Sequence, residues 1–233
     1  MDFTEYFNTF ITVLNKHEVR YVLLRGYEYL PESYSNDLDF GIHPNDRDAF
    51  FDVLKTYRNQ YKIEIKINLS RYEVLKLKFS FSNQEIDFDF WFDINYCGLE
   101  YISISETINK AVAYKNFMIP SPADELTISF MKELLHMKRL REDKVVWLTR
   151  KVEESNLDFF AVFFAKKIRK QFINVINIRK FDLGKLSGKA KIELIKFHLK
   201  NRSIKDTFRK VFFFIYLRLL SNKNPLVIKL KDI

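Results

Sequence analysis

Asp37-Leu38-Asp39-Phe40-Gly41-Ile42 sets two carboxylates one residue apart at the head of an apolar run. Strand alternation sends residues i and i+2 to one face, so Asp37 and Asp39 point one way while Leu38 and Phe40 enter a core. Like charges this close repel unless a proton or a cation lies between them, and Mg²⁺ favours carboxylates together with phosphate oxygens. Upstream, Tyr21-Val22-Leu23-Leu24 ends in Arg25-Gly26, which reads as a strand over 19–25 leading into a turn. Downstream, Glu85-Ile86-Asp87-Phe88-Asp89-Phe90-Trp91 alternates in the same way, with three acids on one face and apolar residues on the other. An acid from this second strand would complete a cation site. Asp87 and Asp89 share a face and both stay open as the third ligand, whereas Glu85, beside a turn, reads as a solvated charge on an edge strand. A cluster of this kind suits metal-assisted phosphoryl or nucleotidyl transfer.

The flanking sequence fills in a mixed sheet with helices. Phe3, Phe7, Phe10, Ile11 and Leu14 recur at helical spacing over 3–16. Residues 27–36 form a connector broken by Pro31, and Asn45 is a candidate cap for a helix over 46–57. Strands are expected over 62–67, 72–81 and 85–92, the last two joined by a turn at Ser82-Asn83-Gln84. From Ser121 the pattern turns helical, with Ser121 as cap, Pro122 at the first helical position and Asp124 and Glu125 in the first turn. That helix is expected to run to about 138, and more near 142–155, 157–171, 188–201 and 203–221. The expected fold is therefore α/β (α+β), a mixed sheet with flanking helices over 1–120, followed by an all-helical domain over 121–233.

Composition narrows the setting. Hydrophobic residues make up 47% of the chain and charged residues 30%, which describes a globular protein with a sizeable core, and 24 phenylalanines make that core aromatic. A single cysteine, Cys97, excludes an internal disulfide and a cysteine-rich zinc site; a reducing cytoplasm fits, and Cys97 is expected to be a small buried residue. The acidic start Met1-Asp2-Phe3-Thr4-Glu5 does not look like a secretory leader, and no apolar run is long enough to span a bilayer. Residues 1–120 carry net charge −5 and residues 121–233 net charge +14. The basic half, with its cluster Lys166, Lys167, Arg169 and Lys170, could serve RNA, a phosphate-rich partner or a membrane surface. Arg209-Lys210-Val211-Phe212-Phe213-Phe214-Ile215-Tyr216-Leu217-Arg218 fits peripheral contact with a membrane, but a buried C-terminal helix is the expectation for it.

The order Leu24-Arg25-Gly26, then Asp37-Leu38-Asp39, then Ile86-Asp87-Phe88-Asp89 resembles the nucleotidyltransferase (polymerase β-like) superfamily over roughly residues 15–145. The look is closest to bacterial members found with surface-polysaccharide genes. In those, a segment like Tyr96-Cys97-Gly98-Leu99-Glu100-Tyr101 and a lead like Ile119-Pro120-Ser121-Pro122 follow the third-acid strand. The resemblance implies that Asp37, Asp39 and one of Asp87 and Asp89 hold Mg²⁺ or Mn²⁺ and carry the catalysis. It also implies that the turn at Arg25, Gly26 and Tyr27 cradles a nucleoside triphosphate, with basic residues such as Lys132, Lys138, Arg139 and Arg141 available to it. The implied activity moves a nucleoside monophosphate to an acceptor hydroxyl or phosphate, with a sugar or surface-polysaccharide precursor as the leading acceptor. The alternatives are transfer to RNA or protein and a non-catalytic nucleotide-binding module. The chain departs from the superfamily at Gly26-Tyr27, where Gly-Ser or Gly-Gly is usual.

Overall fold

In the computed structural model, β2 (Asp37–Ile42) is an interior strand of a five-stranded mixed sheet. Its neighbours are β1 (Tyr21–Arg25), antiparallel, and β5 (Gln84–Trp91), parallel, and the order continues through β4 (Val74–Phe81) to β3 (Glu64–Ser70), both pairings antiparallel. The structure describes residues 2–34, 37–81, 84–138, 146–147, 184–201 and 204–221. The described residues fall into two compact units. One combines the described residues of 1–94, 103–121 and 216–221; the other combines those of 95–102 and 122–215.

In the first unit a single alternation builds both core and site. Leu38 and Phe40 of β2, Leu75, Leu77 and Phe79 of β4, and Ile86, Phe88 and Phe90 of β5 are all buried in one cluster. Helices α1 (Phe3–Lys16) and α2 (Arg47–Tyr61) cover that face with Tyr6, Phe7, Phe10, Phe50 and Tyr57. Phe10 meets Phe40, Phe79 and Phe88 edge-on at centroid distances of 5.8–5.9 Å, the geometry that the quadrupoles of aromatic rings favour. The acids of β2 and β5 therefore emerge on the opposite face. There α3 (Ile104–Asn109) packs against β1 and β2, and Gly41 gives it room: a Cβ at Gly41 would lie 3.4 Å from Ile104 and 3.1 Å from Val22. The hairpin β8 (Val112–Tyr114) and β9 (Phe117–Ile119) sits at the β1 edge, and its turn residue Lys115 reaches the connector after β1, bonding the Leu30 carbonyl and Glu32.

The elements differ from the sequence reading in a few places. Asn45 is not a cap; His43 Nδ1 accepts from the Asn45 amide at 3.3 Å, a 3₁₀ turn over Pro44–Asp46 precedes α2, and α2 runs to Tyr61. Proline at the first turn position fixes this entry. Gln84 belongs to β5, paired with Phe81, rather than to the turn.

In the second unit, β6 (Ile94–Tyr96) and β7 (Leu99–Ile102) form a hairpin whose turn holds Cys97 and Gly98. Gly98 has φ +79°, and a Cβ there would lie 2.8 Å from the Lys210 carbonyl oxygen of α6 (Ile204–Ser221), so only glycine fits. Cys97 is exposed, which corrects the expectation of a buried thiol: the hairpin tip turns it outward. Helix α4 (Pro122–Met131) continues through π-helical turns over Lys132–Met137, and Lys138 ends it in the left-handed conformation. Helix α5 (Gly184–Asn201) precedes α6 and is tied to β7 by His198, whose Nε2 lies 2.8 Å from the Glu100 carbonyl oxygen. The helices expected near 188–201 and 203–221 are thus present as α5 and α6. Those expected near 142–155 and 157–171, apart from a helical pair at 146–147, lie outside the described residues, as do Arg139, Arg141 and the basic cluster at Lys166, Lys167, Arg169 and Lys170.

Candidate metal centre

Parallel pairing of β2 with β5 aligns Asp37 with Asp87 and Asp39 with Asp89 on one face. One carboxylate oxygen each from Asp37, Asp39 and Asp89 lies within 4.8 Å of the others. Asp39 is 2% and Asp89 4% exposed, so two like charges are held almost out of water, an arrangement that demands a cation. Asp87 is not part of this group. Its Oδ1 accepts from Asn68 Nδ2 at 3.0 Å, across the intervening β4. Asn68 shares the face of Lys66, which pairs with Lys78 of β4, and it is the extra residue of a bulge in β3, where the register with β4 shifts between Ile67 and Leu69.

A second bulge brings Arg25 to the acids. Tyr21, Val22 and Leu23 pair with Ile42, Gly41 and Phe40, and then Arg25 rather than Leu24 pairs with Asp39. Unbroken register would align Arg25 with Leu38, on the core face; the inserted residue turns it over. Its Nε donates to Asp39, and its guanidinium lies 3.8 Å from Asp37. Burial works against the Arg25 charge, yet the Asp39, Asp37 and Asp89 carboxylates outweigh it and raise the group's proton affinity. From the other side Lys76 of β4, directly opposite Asp89, donates its ammonium to Asp89 Oδ2. Trp91 Nε1 donates to Asp39 Oδ1 at 2.9 Å and fixes that carboxylate. Burial raises the Asp89 carboxyl above the usual aspartate value; Lys76 opposes the rise, while Asp39 and Asp37 add to it.

These donors suit a hard divalent ion: three carboxylates, two of them buried, with no soft ligand. Adjacent oxygens around Mg²⁺ stand about 3 Å apart. The acids would have to close slightly as Arg25 and Lys76 withdraw. Next to them Gly26 has φ +77°, a conformation glycine takes at no steric cost, so its backbone amides can turn toward an anion. The Tyr27 side chain is buried against Tyr114 and leaves only backbone at that turn.

No protein-family model matches the chain, and no curated protein matches it. Among solved structures, one from H. pylori described as a "putative nucleotidyltransferase" is similar at 13% identity and TM-score 0.43, over 84% of this chain and 93% of that one. JHP933 from Helicobacter pylori is similar at 13% identity and TM-score 0.44, over 85% and 91%. At that level neither likeness fixes the chemistry of this chain.

Of the residues singled out in the sequence, Asp37, Asp39, Asp89 and Arg25 come together, with Gly26 beside them, while Asp87 is drawn toward Asn68. Glu85 is exposed and bonds Lys78 at 2.8 Å, which holds its carboxyl below the usual range. Lys76, Trp91 and Asn68 are the site residues the sequence reading passed over. A signal for Lys76 was present: Lys76 and Lys78 alternate on β4 in step with the acids of β5, which places lysine opposite aspartate once the strands form a hairpin.

Proposed function

We propose that the chain is a metal-dependent nucleotidyltransferase that moves a nucleoside monophosphate from a nucleoside triphosphate to an acceptor hydroxyl or phosphate, the acceptor oxygen attacking the α-phosphate and pyrophosphate leaving. The observation that carries this reading is the convergence of Asp37, Asp39 and Asp89 on two adjacent parallel strands beside the positive-φ turn at Gly26. Asp37, Asp39 and Asp89 would hold Mg²⁺ or Mn²⁺, which when bound neutralises phosphate charge and polarises the phosphoryl oxygens. Trp91 keeps Asp39 oriented. Asp89, on the strand beside the other two acids, is the carboxylate proposed to take the proton from the acceptor oxygen. Arg25 and Lys76, both on the acids in this structure, are placed to transfer to phosphate oxygens. Backbone amides at Gly26 and Tyr27 would meet the triphosphate. The acceptor proposed is a sugar or surface-polysaccharide precursor, with RNA an alternative suited to the net +14 of residues 121–233.

A non-catalytic nucleotide-binding module is the second reading, and the seating of Arg25 and Lys76 on the acids favours it, since two of the three negative charges are already compensated. Incubation with α-labelled nucleoside triphosphates, Mg²⁺ or Mn²⁺ and candidate acceptors decides between them. Transfer that is lost in Asp39→Asn and Asp89→Asn supports the enzyme. Nucleotide binding without transfer by the wild type supports the module.

A further inference from the structure

Helix α6 is apolar on two sides and uses only one of them. Thr207 is buried, and Val211 and Phe214 are half-buried, along one side. Ile204, Phe208 and Phe212 follow at every fourth residue on another side with Ile215 beside them, and they are 65%, 68%, 73% and 49% exposed. This overturns the expectation of a buried helix for the run ending at Arg218. Exposed Lys205 and Arg209 border the stripe one position on. On α5, Ile192 and Ile195 are also exposed. A cavity of about 230 Å³ between α5, α6 and the Cys97 turn shares Ile195 and Phe208 with this surface, and Tyr96, Leu99 and Leu199 complete its apolar wall. Lys191 stands at the same cavity, its ammonium 4.7 Å from the Tyr96 ring centre.

We propose that this surface of α5 and α6 docks on an anionic lipid bilayer, lying in the interface with the phenylalanines among the acyl chains and Lys205 and Arg209 at the headgroups. Large apolar side chains flanked by bases on an exposed helix are what an interfacial helix requires. No described helix is long and apolar enough to cross a membrane, so the contact is with the surface. Charge decides against a second copy of the chain as occupant: pairing like with like sets the basic flanks against each other, whereas an anionic headgroup layer complements them. The isoleucines likewise add nothing to the stacking of bases, which an RNA partner would use. The inference is independent of the chemistry proposed for the aspartates.

The test is flotation of the full chain with vesicles of phosphatidylcholine alone and of phosphatidylcholine mixed with phosphatidylglycerol. Binding is expected on the mixed vesicles and to fall with added salt. Phe212→Ser should lower the partition coefficient about tenfold or more by removing one buried aromatic. Lys205→Gln and Arg209→Gln should each lower it about fivefold. Circular dichroism checks that the variants keep their helices, and the two charge variants test the surface without touching its packing. Failure to bind the mixed vesicles would overturn the proposal, as would equal binding in all variants. A concentration-dependent dimer abolished by Phe212→Ser, or RNA retention lost in the same variants without vesicle binding, would overturn it in favour of those partners.

Discussion

Lys76→Met asks directly what the ammonium on Asp89 does. In the wild type Lys76 donates to Asp89 Oδ2, while Arg25 serves Asp39. Removing the lysine leaves Asp39 and Asp89, with oxygens within 4.8 Å, facing each other with one cation between them. At an effective dielectric constant near 20 that repulsion is about 3 kcal/mol. Asp89 can relieve part of it by taking up a proton, so the expected loss of stability without metal is about 2 kcal/mol. For a chain of this size that lowers Tm by about 4–8 °C. Divalent metal should reverse the ranking. In the wild type the ion has to displace Lys76, and in the variant it does not, so Mn²⁺ should bind Lys76→Met roughly tenfold to thirtyfold more tightly. Thermal unfolding with and without Mn²⁺, together with calorimetric titration, measures both quantities. A variant as stable as the wild type without metal, with the same Mn²⁺ affinity, would refute the idea that Lys76 stands in for an ion.

Asp89→Asn should abolish the Mn²⁺-induced rise in Tm, while Asp87→Asn should leave Mn²⁺ affinity within about threefold, because Asp87 serves Asn68 rather than the cluster. The Asp89 carboxyl lies above its usual value of 3.8, so the folded chain holds that proton more firmly than the unfolded one. Its contribution to metal-free stability therefore falls as pH rises from 3.8 through the raised value, and Mn²⁺ affinity should weaken on acidification at a higher pH than an ordinary aspartate site would show, read by titrating Mn²⁺ across a pH series. Gly98→Ala should cost at least about 2 kcal/mol in urea unfolding, because it combines a left-handed backbone with a clash against the Lys210 carbonyl oxygen.

Local rules made much of this visible in advance. Period-two alternation gave the acid face and the apolar face of β2 and β5 together, since placing Phe88 and Phe90 in the core forces Asp87 and Asp89 to the other side. The cap and proline at Ser121-Pro122 marked the start of α4. Other features depend on pairing between distant residues. Exposure of Cys97 follows from the left-handed turn at Cys97-Gly98, where α6 packs against the glycine, a contact that no local pattern announces. The outer side of α6 carries the same residue types as a core helix, so composition could not separate exposed from buried.

The choice between Asp87 and Asp89 shows where local reading ends. Both residues have the same parity and lie between apolar neighbours, and each aligns with an aspartate of β2. What separates them is the company that distant residues keep, and bulges lie at two of those residues. The one at Leu24 carries Arg25 over to Asp39, and the one at Asn68 supplies the amide that takes Asp87. A bulge adds one residue to a strand without altering its alternation elsewhere, so it leaves almost no trace in composition or hydropathy while reversing the face of everything beyond it. The sheet therefore sets four aspartates on one face by a rule that any strand obeys. Their partners then sort them: Asp37, Asp39 and Asp89 converge under Arg25 and Lys76, and Asp87 bonds the neutral Asn68. An asparagine draws Asp87 aside without adding charge, so the cluster keeps the unbalanced negative potential that a divalent ion requires.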